Sequence, residues 1–358
     1  MSSSDGLPDG YALGSWWYYA PNKPAPIAFA IIFAGSGLWH FWQCHRFHSW
    51  RATGFLPWAA ILFVAGFVLR SIGSFHYDNL PIFISSTVML LAAPPIYEAA
   101  NFFTLGRILY YVPYHAPMHP GRVVTTFAAL QALIEALNGN GGSRAANSAL
   151  TPAQQEVGRD LLKAALILQL FCMACFILLA GTFELRCRKA GVLPKNLRQV
   201  LLVLYISCLL ITIRTVYRTV EYWEDSGLDF SDPDSFPPIF KREWFFWVFE
   251  AMLMASNTWL LNICHPSRFL PHNLKVYLAP DGVTEIEGAG FRDTRHFLLT
   301  LFDPFDIWGL ITKRNKKNNI WEQQAREEAN AQGAELGTLS NRDQMVSKTE
   351  STNPLRKN

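Results

Sequence analysis

Apolar residues in this chain come in long blocks rather than in the strict alternation of a half-buried strand. Seven blocks approach the ~20 residues that an α-helix needs to cross ~30 Å of hydrocarbon. They are Pro26–Cys44, Gly54–Ser71, Leu80–Leu105, Val123–Leu137, Leu161–Phe183, Val200–Val220 and Trp244–Ile263. Pro94 and Pro95 interrupt the third block, and their missing N–H groups and ring clash predict a kink there. The fourth is short and less apolar, and Gly139–Gly142 is expected to end it. The pattern predicts an all-α membrane protein with seven transmembrane helices over 26–263.

Outside these blocks the pattern changes. Residues 1–25 lack a basic stretch followed by an apolar one, so no cleaved signal is expected and the first span should act as the anchor. Residues 264–320 form a juxtamembrane segment. Within it, Val276–Gly288 reads as a small hairpin turned at Asp281-Gly282, and Phe297–Ile311 as an aromatic stretch under the bundle or in the interface. From 321 to 358 the chain is polar and poor in aromatics, which predicts a disordered tail.

Composition agrees with this reading. Half of the 358 residues are hydrophobic, 14% are aromatic and 16% are charged, against roughly 25% charged in ordinary soluble domains. The net charge of +3 says less than where the charges lie. Arg46, Arg51, Arg107, Arg122, Arg186, Arg188, Lys189, Lys195 and Arg198 occupy the odd inter-span loops. Loop Tyr222–Phe240 holds Glu224, Asp225, Asp229, Asp232 and Asp234 and no Lys or Arg. The positive-inside rule then places the N-terminus outside and the C-terminus in the cytoplasm, and dropping the fourth span would contradict it. Lys313, Arg314, Lys316 and Lys317 could touch anionic lipid of the inner leaflet. Trp16 to Tyr19, and Tyr110, Tyr111 and Tyr114, read as interface anchors. The six cysteines sit inside apolar blocks or at their Arg-rich ends, so no disulfide framework is expected.

Charges at membrane depth are expensive and face a bundle interior or a wet cavity. Arg214, Arg218 and Glu221 are spaced i, i+4, i+7, and Glu243 and Glu250 repeat the seven-residue spacing. With Arg70 and Glu135 they bring ionisable groups from spans two, four, six and seven toward the outer half of the bundle. Such a cavity could hold the polar head of an amphipathic molecule while its tail stays in lipid. The structural alternative is Arg–Glu pairs that fix helix rotation, and it suits Arg218, Glu221 and Glu243 best. Arg214 and Glu250, deeper by one or two turns, are the stronger functional candidates. Glu98, just after the double proline, has a structural reading as a partner for freed backbone groups.

Other constellations carry less. His40, Cys44, His45 and His48 have helical metal-ligand spacing but no acidic partner, and an interfacial origin suits them better. Cys172-x-x-Cys175 lies mid-span, as small buried thiols do. No phosphate loop, nucleophile elbow or HExxH is present, so neither an enzyme nor an ATP-driven pump is expected. No cofactor, metal ion or nucleic acid is expected either.

The chain resembles the fungal RTA-like, lipid-translocating exporter family of seven-span membrane proteins. The resemblance rests on Gly66-Phe67-Val68-Leu69-Arg70, Pro94-Pro95-Ile96-Tyr97 with Leu105-Gly106-Arg107, and Gly139–Gly142. Ile213-Arg214-x-x-Tyr217-Arg218-x-x-Glu221-Tyr222 is its most specific part, and Glu243, Glu250 and His265-Pro266 complete it. Two positions depart from the family pattern. Phe63 stands where span two usually carries a Glu, and Gln131, Asn138 or Glu135 must serve for an Asp and a Gln in span four. The acidic partner of Arg70 is therefore missing or relocated. The resemblance implies an ATP-independent transporter or exporter of amphipathic lipids or lipid-like toxic compounds, linked to stress or drug resistance and placed in the plasma membrane. Its partners would be membrane lipids or amphipathic small molecules, and a homo-oligomer is compatible. In that reading Arg214 anchors a head group, Glu221 and Glu250 are counter-charges, and Arg70 lies at the outer rim, with lipid sought between spans two, six and seven. The alternative is a seven-helix sensor that signals through its cytoplasmic tail.

Overall fold

The computed structural model describes residues 14–17, 19–147, 149–225, 236–279 and 282–288. The 297–311 stretch, the basic run at 313–317, the tail from 321 and most of the acidic loop after span six lie outside the described residues.

Almost all of the described chain is helical. Helix α1 (Pro24–Arg46) begins on a proline, whose missing N–H is no loss in a first turn. Helix α2 covers Phe55–Gly73, and α3 covers Leu80–Tyr111. The latter is two helices, Leu80–Ala92 and Pro94–Tyr111, divided at Ala93 where the double proline removes two donors. Asn79 starts it by accepting from the Ile82 N–H at 3.2 Å. Helix α4 spans Pro120–Ala146, α5 Pro152–Lys189 and α6 Lys195–Asp225. Helix α5 opens with a capping box between Thr151 and Gln154 and ends on Arg186, Arg188 and Lys189, which suit the negative end of its dipole. Helix α7 runs over 244–263 in three parts: Trp244–Phe246, a π-helical stretch Trp247–Met252, and Leu253–Ile263. Beyond it, Val276–Leu278 and Glu285–Glu287 pair antiparallel, Val276 opposite Glu287, with Gly282 at φ +72° supplying the left-handed turn residue.

The expectation that Gly139–Gly142 ends the fourth helix is wrong. The helix continues to Ala146 because one of these glycines is a packing residue. A Cβ on Gly141 would come within 2.8 Å of the Gly158 carbonyl oxygen, and one on Gly158 within 2.6 Å of the Ala145 nitrogen. Backbone-to-backbone approach of α4 and α5 requires glycine at both positions, and offsets the ~1 kcal/mol that each glycine costs a helix.

Sequential helices pack as neighbours and α7 closes the ring against α1. The C-terminal half of α3 lies inside, touching α2, α4 and α6. Phe33 stacks on Phe63 at 4.2 Å between centroids, and Phe176 meets Phe102 and Phe127 edge to face at 5.1 Å. The outside is apolar: Ile31, Leu38, Phe171 and Leu178 are each more than 60% exposed. Such a belt on a helical bundle is lipid-facing surface. Five helices, α1, α2, α3, α5 and α6, are long and apolar enough to cross a membrane. The chain is a multi-pass membrane protein. Helix α4 misses that measure through its polar glycine-rich second half, and α7 because its π-helical stretch divides it.

Candidate functional site

The Arg214–Arg218 stripe is anchored by a carboxylate from the facing helix. Arg214 donates from Nε to Glu250 Oε1 and Oε2 at 3.0 and 2.8 Å, and from Nη2 to Oε1 at 2.8 Å. Arg218 Nε donates to the other side of the same carboxylate at 2.8 Å. Its Nη1 donates to Glu221 Oε2, one turn along α6. Glu250 is fully buried, and Arg214 is 4% exposed. Four charges thus cancel in a bidentate network, the geometry that lets an ion pair persist away from water. Glu250 lies in the π-helical stretch of α7, a feature often found at functional sites.

The same widened turn corrects the expected i, i+7 alignment of Glu243 with Glu250. The stretch Trp247–Met252 slips the register, and the two carboxylates serve different arginines. Glu243 Oε1 accepts from Arg70 Nη2 at 3.0 Å, while its Oε2 accepts from the Asn22 N–H at 2.8 Å. The Arg70 Nη2 group also donates to Tyr19 Oη at 2.9 Å. Phe246 lies 4.0 Å from the Arg70 guanidinium and Trp247 5.3 Å, both within cation–π range. The relocated acid is therefore Glu243, 173 residues along the chain. Phe63, in the position of the missing glutamate, is instead part of the aromatic stack.

A cavity of about 280 Å³ opens between α3, α4, α5 and α6. One wall is polar: Arg214, Arg218, Glu135, Asn138, Gln169 and Tyr222. The other is apolar, with Val88, Leu91, Pro95, Leu162 and Leu166. The Nη1 group of Arg214 and the Nη2 group of Arg218 have no hydrogen-bond partner among the described residues, so the paired arginines keep spare donors at this wall. Glu135 accepts from Gln131 Nε2 at 3.1 Å. Below, Gln169 Nε2 donates to the buried Glu98. This is not the predicted place between spans two, six and seven. Arg70, Glu243, Glu221 and Glu250 do not line the cavity; Glu250 backs the wall.

Sequence reasoning passed over Gln169, although a lone glutamine in an otherwise apolar block was visible. It also read Tyr19 only as an anchor. The His40 cluster is dispersed: His40 is buried and 3.2 Å from Thr258 Oγ1, whereas His45 and His48 are surface rings 6.4 Å apart. Ser36, Tyr97 and Asn262 extend the His40–Thr258 contact into an uncharged network joining α1, α3 and α7. All six cysteines are free.

A model of the RTA1-like protein family matches residues 57–273. The chain is 38% identical over 344 residues to a lipid-translocating exporter-like protein RTA1 of Leptosphaeria maculans, covering 92% of this chain and 66% of that protein. It is 32% identical over 273 residues to the protein of that name from Ajellomyces capsulatus, covering 72% and 82%. A probable lipid transporter, atnI of Emericella nidulans, is 24% identical over 287 residues, covering 72% and 69%. The chain thus spans about two thirds of the length of the Leptosphaeria relative. No solved structure matches it.

Proposed function

The chain belongs to the RTA1-like family, and from that premise we propose that it is an ATP-independent transporter of amphipathic lipids or lipid-like toxic compounds. The observation that carries this reading is the two-sided cavity, with spare arginine donors and Glu135 on one wall and aliphatic side chains on the other. An anionic or zwitterionic head group would meet Arg214 and Arg218, with Glu135 beside them for a cationic portion, and the acyl chain would lie along Leu91, Leu162 and Leu166. Glu250 holds both guanidiniums in place rather than contacting cargo. Arg70 with Glu243 closes the end of the bundle as a latch. In the proposed topology, with seven spans, the N-terminus outside and the C-terminus cytoplasmic, this cavity would lie in the outer half, which suits export and a role in stress or drug resistance. The relatives' names support lipid as the cargo class.

The test separates transport from folding. Breaking a buried ion pair from one side destabilises by ~3–5 kcal/mol, whereas replacing both partners by apolar residues of similar size is often neutral. The double variant Arg214→Met/Glu250→Met should therefore purify folded and melt above either single variant, with Arg218 still paired to Glu221. Reconstituted without nucleotide, it should move a fluorescent short-chain amphiphile across vesicles at least tenfold more slowly than the unaltered protein. Glu135→Gln should slow cationic amphiphiles selectively. A folded double variant that moves cargo at full speed would end the reading of this wall as the head-group site.

A further inference from the structure

A second recess lies at the other end of the bundle, and its chemistry differs from that of the first. It has a volume of about 440 Å³ and is enclosed by the α1–α2 connection, the end of α3 and the segment after α7. Its ionisable side chains are Arg107, His48, His272 and Lys275. Among the described residues, no carboxylate lines it. Ser49, Ser267 and Asn273 add neutral donors.

Arg107 sets the sign of this site. It is 6% exposed, and both of its Nη groups are taken by the carbonyl oxygens of Pro271, Asn273, Leu274 and Val276, at 2.7–3.1 Å. Carbonyl dipoles hold the guanidinium but do not cancel its charge. Its buried Nε–H has no partner among the described residues. Glu285 and Glu287, on the hairpin, accept from Tyr111 and Asn273 at 2.9 Å and stay outside the lining. Lys275 is exposed and forms no ion pair among the described residues. His272 is held by stacking on Phe47, 5.5 Å between centroids. Trp50, 43% exposed, and Phe41, 56% exposed, pack edge to face beside the opening, as side chains at a lipid–water boundary do.

We propose that this recess is a binding site for a phosphate monoester group, taken from an anionic membrane lipid. It is distinct from the cargo cavity and needs no transport step. A buried unneutralised cation, two imidazoles and one ammonium around a wettable space match a small multivalent anion. The flanking aromatic side chains supply the lipid boundary from which such a head group would enter. Basic residues of the neighbouring connections, Arg46 and Arg268 among them, raise the same potential.

The experiment measures thermal stabilisation of the full chain in neutral detergent. Short-chain phosphatidic acid, phosphatidylcholine of the same chain length, and inorganic phosphate are titrated in turn. Saturable stabilisation by phosphatidic acid alone assigns a lipid source, and competition by inorganic phosphate shows that the head group carries recognition. Lys275→Gln with His272→Gln should weaken apparent affinity for phosphatidic acid at least tenfold, with only a small drop in ligand-free melting temperature from the lost stacking of His272 on Phe47. If that variant loses ligand-free stability, Lys275→Gln alone is read, with a several-fold loss expected. Equal stabilisation by phosphatidylcholine, or stabilisation only by inorganic phosphate, overturns the proposal. So does a folded variant that binds as tightly as the unaltered protein. Retained binding in Arg214→Met/Glu250→Met separates this site from the cargo cavity, and loss there would overturn the claim that the two are distinct.

Discussion

Arg214 and Arg107 are buried to nearly the same degree, 4% and 6% exposed, yet the protein satisfies them in opposite ways. Arg214 shares one carboxylate with Arg218, so its charge is cancelled while a donor remains free toward a cavity. Arg107 has no carboxylate at hydrogen-bond distance and gives both Nη groups to four main-chain carbonyls of the segment after α7. The first arrangement fixes side chains and leaves capacity to bind. The second fixes backbone, and leaves charge. A carboxylate could not do the second task, because only a five-donor fork can tie four carbonyls at once. Equal burial of the same residue type is therefore no guide to role; the partner is.

The largest expected effect breaks the contrast at its structural end. Arg107→Met removes the donor of four carbonyls, hydrogen bonds from a charged group worth ~1.5–3 kcal/mol each. Against a total stability of ~5–15 kcal/mol, folded protein should be nearly lost, seen as a collapse of the monodisperse peak in detergent chromatography. Cutting the chain after Arg268 removes the same carbonyls and should act similarly, so a truncation meant to test signalling by the tail must keep residues to 288. Normal yield of Arg107→Met would show that the segment is held by something other than this fork.

A smaller effect sharpens the carboxylate-paired end. Arg214→Met leaves Glu250 with Arg218 alone and should destabilise by ~3 kcal/mol, the low end for a broken buried pair because one partner survives. Glu250→Met strands two guanidiniums and should be worse. The double variant should lie above either single one, so the cycle gives a coupling larger than either single loss, above ~3 kcal/mol, from denaturation midpoints. Additive losses would mean that the three groups do not act as one unit.

How much of this could be read from the chain follows from range. The apolar blocks mark every one of the long helices, and the double proline marks the break at Ala93. Helix ends are less visible: α5 was expected over 161–183 and runs Pro152–Lys189, because its Thr151 cap and basic last turn are polar and lie beyond the hydropathy signal. The Arg214–Glu221 stripe was legible as helical spacing within one element. The partners were not, since Arg70 finds Glu243 and Arg107 finds 271–276 only through tertiary packing. The π-helical stretch breaks the expected alignment of Glu243 with Glu250, because a widened turn carries no signal in the spacing. The cavity lies between helices other than those expected. Ring order, with α3 inside, is what a list of blocks does not contain.

The smallest effect concerns a second buried group at the carbonyl-held end. His265, just beyond α7, is fully buried, and its Nδ1 accepts from the Ser267 N–H at 3.2 Å. Burial, aided by the charges of Arg268 and His272, pushes its pKa down from 6.5 to about 4. The folded state therefore resists a proton that the unfolded chain takes up below about pH 6.5, so between about 4 and 6.5 the unfolded state binds more protons. Stability from this group is fully present above that window and falls as pH drops through it, by ~3 kcal/mol in total. Asn in place of His265 keeps an oxygen acceptor for Ser267 and cannot titrate. It should lower the melting temperature at pH 7.5, where stacking on Phe47 is lost, yet flatten the decline between pH 6.5 and 4.5. The slope, not the baseline, is the readout. If the decline persists unchanged in His265→Asn, acid sensitivity belongs to other groups, and Arg107 would stand alone at this end as a buried cation tolerated without a carboxylate.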